Sequence, residues 1–504
     1  MLFNSYLYLL IFLPLALLGF AGFARMKMRL GFAWLVLMSF AFYGVWNPDP
    51  EHPWSPFYIG LLLASCVGNY YFGRYLSGHK HTAKGKRILA FGVTVNLGLL
   101  GYYKYAGFFA GVAKALTGWP AHVPSIVLPL AISFFTFLQI AYLVDAFRGE
   151  TEEYHFTDYL LFVTFFPHLI AGPLVHHREM LPQFTRHRDK VLRYRDFSIG
   201  FTILVLGLFK KVVLADYLAR TSGPLFDLAG AGTRPLSCGE AWAAMLAYTL
   251  QLYFDFSGYS DMAIGSARLF GIRFPLNFHS PYKADSVVEF WRRWHITLSR
   301  FLRDYLYIPL GGNRKGKGRR YVNLLLTMVL GGLWHGAGFA FLLWGLLHGL
   351  YLCVNHAWFA VRKKRGWKAL PKPLAIGLTF LFVMIAWVFF RAPTFGAALA
   401  VLCSAAGAHG FHLWPAEGVA LVKDFRALKP IVAGLLIIWL LPNTQQFMRR
   451  YRPALNFLEL EGKLGKRRWW EWRPTPLFAL FTLALLYATA RDFDKISEFI
   501  YFQF

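Results

Sequence analysis

Residues Tyr6 to Ala24 run for 19 positions without a charged side chain. As a helix this stretch would rise roughly 28 Å, close to the roughly 30 Å hydrocarbon core of a bilayer. Comparable apolar stretches recur near 31–47, 56–74, 88–110, 124–146, 197–219, 238–257, 321–334, 337–360, 371–391, 430–447 and 475–491. Lipid offers no partner to a bare N–H or C=O, so segments of this kind must satisfy their own hydrogen bonds as helices. The pattern predicts an all-α, polytopic integral membrane protein with about 12 transmembrane helices. Two further apolar stretches, near 156–175 and 287–310, are interrupted by proline or loaded with arginine. They are expected to be re-entrant or amphipathic rather than spanning. No basic n-region precedes Tyr6, so the first stretch reads as a span and not as a removed leader. No internal repeat or low-complexity linker divides the chain. Residues 1–504 read as one integral membrane domain, with 253–361 as its core region.

Lys plus Arg number 53 and Asp plus Glu 26, a net charge of +27. On a soluble domain that excess would suggest nucleic acid. In a membrane protein it marks cytoplasmic loops, and no nucleic-acid partner is expected. Such a surface also attracts anionic lipid or an anionic cofactor. Basic clusters lie at 25–29, 80–87, 186–195, 314–320, 362–368 and 449–473. Placing all of them in the cytoplasm puts the N-terminus outside, together with the Asn47–Ser55 loop, which lacks Lys and Arg. Residues 156–175 must then enter and leave on one side, and 321–361 must form an up-and-down pair that turns near His335. Cys66, Cys238, Cys353 and Cys403 have no metal-ligand spacing and read as small core residues. HExxH, GxSxG and CxxC patterns are absent, and no metal or prosthetic group is expected.

Two segments could carry chemistry. In Val287–Leu310 the apolar residues Val287, Trp291, Trp294, Leu298, Phe301 and Tyr305 form a stripe at helical spacing. Arg292, Arg293, Arg300 and Arg303 should face away from it, and His295 falls toward the apolar side. It is either a hydrogen-bonded core histidine or one carried inward for function. In Gly331–Gly338, four glycines in eight residues surround His335. An ionisable residue at membrane depth is a functional candidate by default, and imidazole suits general-base work. His348 lies 13 residues further on, roughly 20 Å away if the helix were continuous, so His335 is preferred. The segment Asn313–Arg320 reads as a mobile, basic loop, either a topology signal or a docking patch for phosphates. Asp255 and Asp261 are expected to pair with arginines of the 287–310 helix. Lys210, Lys211 and Asp216 are expected to be helix-end or interhelical partners.

The stretches Trp291–Arg314 and Gly331–Gly349 resemble motifs of the membrane-bound O-acyltransferase superfamily. The resemblance is closest to its bacterial branch containing the alginate O-acetylation membrane protein. Supporting stretches are Ile132–Asp145, Phe165–Phe184, Tyr253–Gly265 and Ala386–Ala392, in family order along most of the chain. The resemblance implies spanning and re-entrant helices around a central tunnel. His335 matches the superfamily's essential histidine, and His295 matches a second polar position held by His or Asn. It further implies acetyl-CoA as donor, with Arg292, Arg293, Arg314, Lys315 and Lys317 as candidates for its phosphates. A periplasmic polysaccharide O-acetyltransferase of the SGNH-hydrolase type, a polysaccharide biosynthesis complex and membrane lipid are the implied partners. The setting would be the bacterial inner membrane, with a periplasmic N-terminus. The expected activity is O-acetylation of an exopolysaccharide, best matched by alginate, with peptidoglycan, cellulose or another envelope polymer as alternatives. A lipid-linked sugar flippase with proton-relay histidines, or a non-catalytic scaffold, are the rivals from other classes.

Overall fold

The computed structural model describes residues 3–45, 56–118, 126–151, 154–170, 172–186, 193–413, 428–462, 464–493 and 499–500. Every regular element among them is a helix. Leu7–Met26, Tyr194–Ala231, Phe339–Arg365 and Lys372–Arg391 are each long and apolar enough to cross a membrane. Met28–Gly44, Lys429–Leu440 and Pro476–Arg491 are shorter apolar helices. Leu10, Leu18, Leu440, Leu477 and Tyr487 are all more than two-thirds exposed. So much bare apolar surface on helices suits contact with lipid rather than water. The Asn47–Ser55 loop lies outside the described residues.

Several boundaries differ from the hydropathy pattern for local reasons. The 430–447 stretch stops at Leu440, because Pro442 forces its predecessor into an extended conformation. A fresh turn, Thr444–Phe447, then starts under a capping box made by Asn443 and Gln446. Phe395–Ala405 is a helix that hydropathy did not single out, capped by Thr394 Oγ accepting from the Ala397 amide at 3.1 Å. The 156–175 stretch breaks at Phe165 into Phe156–Thr164 and Phe166–Leu169. Nine helical residues rise about 13 Å, too little to cross a bilayer. Among the cysteines only Cys66 is buried, so the core reading fails for the other three.

The chain forms two compact units. The first comprises 1–204, 262–275 and 451–464. In it Pro56–Gly78, Ala83–Leu100 and Ile132–Arg148 meet around buried amides. Asn96 Nδ2 donates to Asn69 Oδ1 at 2.7 Å, and Ser65 Oγ donates to Gln139 Oε1 at 3.1 Å. Such side chains are costly to bury singly and stable when they satisfy one another.

The second unit comprises 205–261, 276–450 and 465–504. Its central feature is a reversal: Gly316–His335 ends at Gly336, and Phe339–Arg365 packs back antiparallel. A Cβ on Gly332 would lie 2.2 Å from the Phe341 carbonyl oxygen, and one on Gly345 2.3 Å from that of Met328. The glycines are there because the backbones touch. The carboxylates of Cys238–Leu269 do not reach the arginines of 287–310. Lys210 takes Asp261 at 2.7 Å, while Lys211 takes Asp255 at 2.7 Å and Asp216 at 2.8 Å. A π-helical turn, Phe209–Ala215, carries the two lysines, and a Cβ on Gly258 would meet Gly207 and Lys211 backbone within 3.1 Å. That close crossing supplies the nearer cations.

A second ion cluster closes the 449–473 segment. Glu471 accepts from Arg449 Nε at 2.6 Å, Arg450 Nε at 2.8 Å and the Arg468 amide at 2.9 Å. Burial pushes this carboxyl upward, but the hydrogen bonds from Arg450, Arg468 and Arg449 outweigh it and hold it below the ordinary carboxylate range. A depressed folded-state pKa contributes stability above the unfolded value, about 4.3, and loses it as pH falls through the folded value. Acid titration of thermal unfolding should show this loss in the wild type and not in Glu471→Gln. A second expectation concerns the helix pair. Gly345→Leu should lower stability by roughly 1–3 kcal/mol or more through overpacking, read as a lower melting temperature. Gly377→Ala, where an added Cβ meets nothing within 4 Å, should raise stability by up to about 1 kcal/mol.

Candidate active site

The 287–310 segment, expected as one amphipathic helix, is two. Val287–Arg293 starts at Ser286, whose Oγ accepts from the Glu289 amide at 3.3 Å. It stops at Trp294, which is extended, and His295 follows in the left-handed region at φ 42°. Ile296–Leu302 and a π-turn, Arg303–Tyr307, complete the segment. The break is held from outside. The His279 amide donates to the Arg293 carbonyl at 2.9 Å, and the Ile296 amide donates to the Asn277 carbonyl at 3.0 Å. The 277–279 backbone thus takes over hydrogen bonds that a continuous helix would have made. A left-handed L-residue costs about 1–2 kcal/mol, a strain typical of functional positions. Trp291, Trp294 and Leu298 are buried as the stripe predicts, but Phe301 is only half-buried.

The kink aims His295 into the protein, where it is fully buried. Its Nδ1 lies 3.1 Å from Asn277 Oδ1. That oxygen also accepts from the Thr297 hydroxyl at 3.0 Å and the Thr297 amide at 3.4 Å, while Asn277 Nδ2 donates to Ser260 Oγ at 3.0 Å. A backbone N–H can only donate, so the Asn277 atom facing it is oxygen. His295 Nδ1 is therefore the protonated nitrogen of the neutral ring, and the lone pair sits on Nε2. Nε2 is buried without a hydrogen-bond partner.

His335 ends the Gly316–His335 helix and is nearly buried. Its ring centroid is 6.4 Å from that of His295, 5.0 Å from those of Trp334 and Trp344, and 5.6 Å from that of Phe390. The structure thus brings the two candidate histidines into one aromatic-walled site. His348 is nearer than a continuous helix would put it, because the chain reverses at Gly336–Gly338. Trp344 contacts both imidazoles, with its ring 4.8 Å from that of His348. The indole N–H of Trp291 donates to His348 Nδ1 at 3.3 Å.

The basic residues divide. Arg293 is committed to Glu289, Nε to Oε1 at 2.7 Å, and Arg292 lies 3.6 Å from the same carboxylate. Arg292 is otherwise exposed, as are Arg314, Lys315 and Lys317. The Asn313–Arg320 stretch is not all loop, since helix begins at Gly316. Sequence reasoning missed Asn277, which lies 18 residues before His295 in no recognised motif. It also missed a meeting of two supporting stretches in the first unit: His176 Nε2 is 2.9 Å and His177 Nδ1 3.5 Å from Asp145. These three side chains have the donor types and closeness of a metal site, but Arg148 stands 3.5 Å from the same carboxylate. A cavity of about 440 Å³ in the second unit is walled by Phe254, Ile438, Phe447 and Phe481 and includes neither candidate histidine.

Residues 74–413 match the MBOAT, membrane-bound O-acyltransferase family, and the chain belongs to that family. It is a multi-pass membrane acyltransferase. It is 44% identical over 442 residues to the peptidoglycan O-acetyltransferase of Helicobacter pylori, covering 82% of this chain and 81% of that protein. It is 44% identical over 402 residues to the probable alginate O-acetylase AlgI of Azotobacter vinelandii, covering 78% and 75%. The probable alginate O-acetylase AlgI of Pseudomonas putida aligns over the whole of both chains at 36% identity. The flippase and scaffold readings give way to these relationships.

Asn277→Ala should slow acyl transfer by about 10²-fold, because His295 loses both its position and its tautomer. Asn277→Asp keeps the accepting oxygen and should recover much of the loss. Initial rates of both variants at matched thermal stability check this.

Proposed function

We propose that the chain moves an acetyl group from cytoplasmic acetyl-CoA to a periplasmic partner or acceptor for O-acetylation of an exopolysaccharide, with alginate as the polymer. The observation that carries the reading is the pair of buried imidazoles 6.4 Å apart, one with its lone pair fixed on Nε2. A hydroxyl oxygen attacks the thioester carbonyl, a C–O bond forms and the C–S bond breaks. His335 takes the hydroxyl proton, and the sulfur leaves as a thiol after receiving a proton. His295 orients a reactant through its Nε2. The aromatic walls exclude water, which would otherwise hydrolyse the thioester. Arg314, Lys315 and Lys317, exposed and not ion-paired with an acid among the described residues, suit the donor phosphates better than Arg293 does.

In this reading the protein resides in a bacterial inner membrane with its N-terminus in the periplasm. It passes the acetyl group to an SGNH-hydrolase-type O-acetyltransferase within a polysaccharide biosynthesis complex. A second acceptor, peptidoglycan, is favoured by the relative from Helicobacter pylori. The two are separated by assaying which purified polymer gains acetyl groups.

His335→Ala should reduce acetylation by about 10²–10⁴-fold, the usual worth of a general base. His295→Ala should reduce it less. His348→Ala should be mildest, because its Nδ1 is engaged by Trp291 in packing. Polymer acetylation in cells with equal membrane levels of each variant is the measurement. Wild-type acetylation by His335→Ala would remove the mechanism.

A further inference from the structure

In the first unit, away from any residue assigned above, a buried arginine lacks part of its hydrogen bonding. Arg268 closes the Cys238–Leu269 helix and is 1% exposed. One guanidinium nitrogen, Nη2, meets Asp196 at 2.6 Å. Nε and Nη1 are buried and have no hydrogen-bond partner. Buried guanidinium N–H groups without acceptors are costly, more so than neutral donors.

The surroundings increase that cost. A Cβ on Gly200 would lie 2.9 Å from the Leu269 amide, and one on Gly265 2.5 Å from that of Leu204. The two helices therefore cross antiparallel with their backbones in contact. This brings the first turn of the Tyr194–Leu208 helix, with its positive dipole end, against Arg268, as the Asp196 ion pair shows. Arg273 and Arg195 are near enough to repel Arg268, and Arg452 and Arg193 to repel Arg273. Arg273, Arg452 and Arg195 are held where they are. Gln183 clamps the Arg273 backbone, donating to its carbonyl at 2.9 Å and accepting from its amide at 2.9 Å. The Leu455 amide donates to the Phe274 carbonyl at 3.0 Å, which pins the 451–455 stretch alongside. Arg452 sits in that stretch in the left-handed region at φ 46°. Arg195 lies over the Tyr451 ring at 5.5 Å. Among the described residues, Asp196 is the carboxylate ion-paired with this cluster.

Five arginines drawn from three segments, a helix N-terminus and two buried N–H-bearing nitrogens without acceptors define a site of strong positive charge. We propose that this cluster binds a phosphate-type anion, with Arg268 donating to its oxygens from beneath and Arg273, Arg195 and Arg452 enclosing it. Phosphate has the acceptor geometry that guanidinium groups match two bonds at a time, and a helix N-terminus adds to the attraction. The anion is either the headgroup of an acidic phospholipid or a soluble phosphate.

The test is thermal unfolding of the full-length protein, in neutral detergent and in vesicles, at constant ionic strength set with chloride. Inorganic phosphate is added to the detergent samples. The vesicles are phosphatidylcholine alone or mixed with phosphatidylglycerol. The wild type should gain several degrees with one of these anions. A gain with inorganic phosphate assigns a soluble phosphate, and a gain with phosphatidylglycerol alone assigns a lipid headgroup. Arg268→Gln is prone to misfold, so the informative variant is Arg273→Gln with Arg452→Gln. It should lose the gain and, in chloride alone, should be at least as stable as the wild type, since repulsion is relieved. No gain with either anion, or an equal gain in wild type and variant, overturns the proposal. So does a variant that is less stable than the wild type in chloride, which would make the arginines structural.

Discussion

The backbone of Asn277–His279 pairs with Arg293 and Ile296 on either side of His295, and the geometry of the site rests on that pairing. A continuous helix over 287–302 would satisfy the same groups internally. The alternative is supported because the Arg293 carbonyl and the Ile296 amide find new backbone partners in the neighbouring Asn277–His279 stretch. The side chain of Asn277 then does a second job with the same residue. It accepts from His295 Nδ1 and so places the lone pair on Nε2. Position and tautomer are set together, which is why a strained left-handed histidine is tolerated there.

The helix pair on the other side of the site is governed by backbone contact. Gly332 against Phe341 and Gly345 against Met328 leave no room for a side chain. The close approach lets two helices joined by only Gly336–Gly338 hold His335 beside Trp344. A wider pair would need large side chains between its members and would move His335 away from His295. Small residues at helix crossings commonly serve this purpose in membranes, where lipid itself supplies no driving force for helix association.

Charge inside the second unit follows the same logic of local substitution. Lys210 and Lys211 stand on a π-turn that presents consecutive residues to a closely crossing helix. Asp255 and Asp261 therefore find their cations within a few ångströms rather than across the unit. Buried pairs of this kind add little net stability relative to apolar replacements, but breaking one is expensive. Their consequence is register, since only one sliding position of the two helices satisfies all of them. The 449–473 segment closes on Glu471 in a similar way.

The apolar runs alone determined that the chain is helical and built for a membrane, because lipid permits few other solutions to backbone hydrogen bonding. The spacing of glycines around His335, and the motifs resembling a known family, marked the two histidines in advance. The sequence also carried the turn-back near His335 through the basic residues at both ends of 321–361. What it did not carry was the kink at His295, because periodicity reports what a segment does alone and the break is made by residues 277–279. It overstated the distance to His348 by taking as continuous a chain that reverses at Gly336–Gly338, and it misassigned the partners of Asp255 and Asp261. Those contacts join residues far apart in the chain, and which of several equally suitable arginines or lysines is nearest depends on how helices cross. Asn277 shows the limit most sharply: an ordinary asparagine in an unmarked loop, it gains its role only when folding places its oxygen against one imidazole nitrogen.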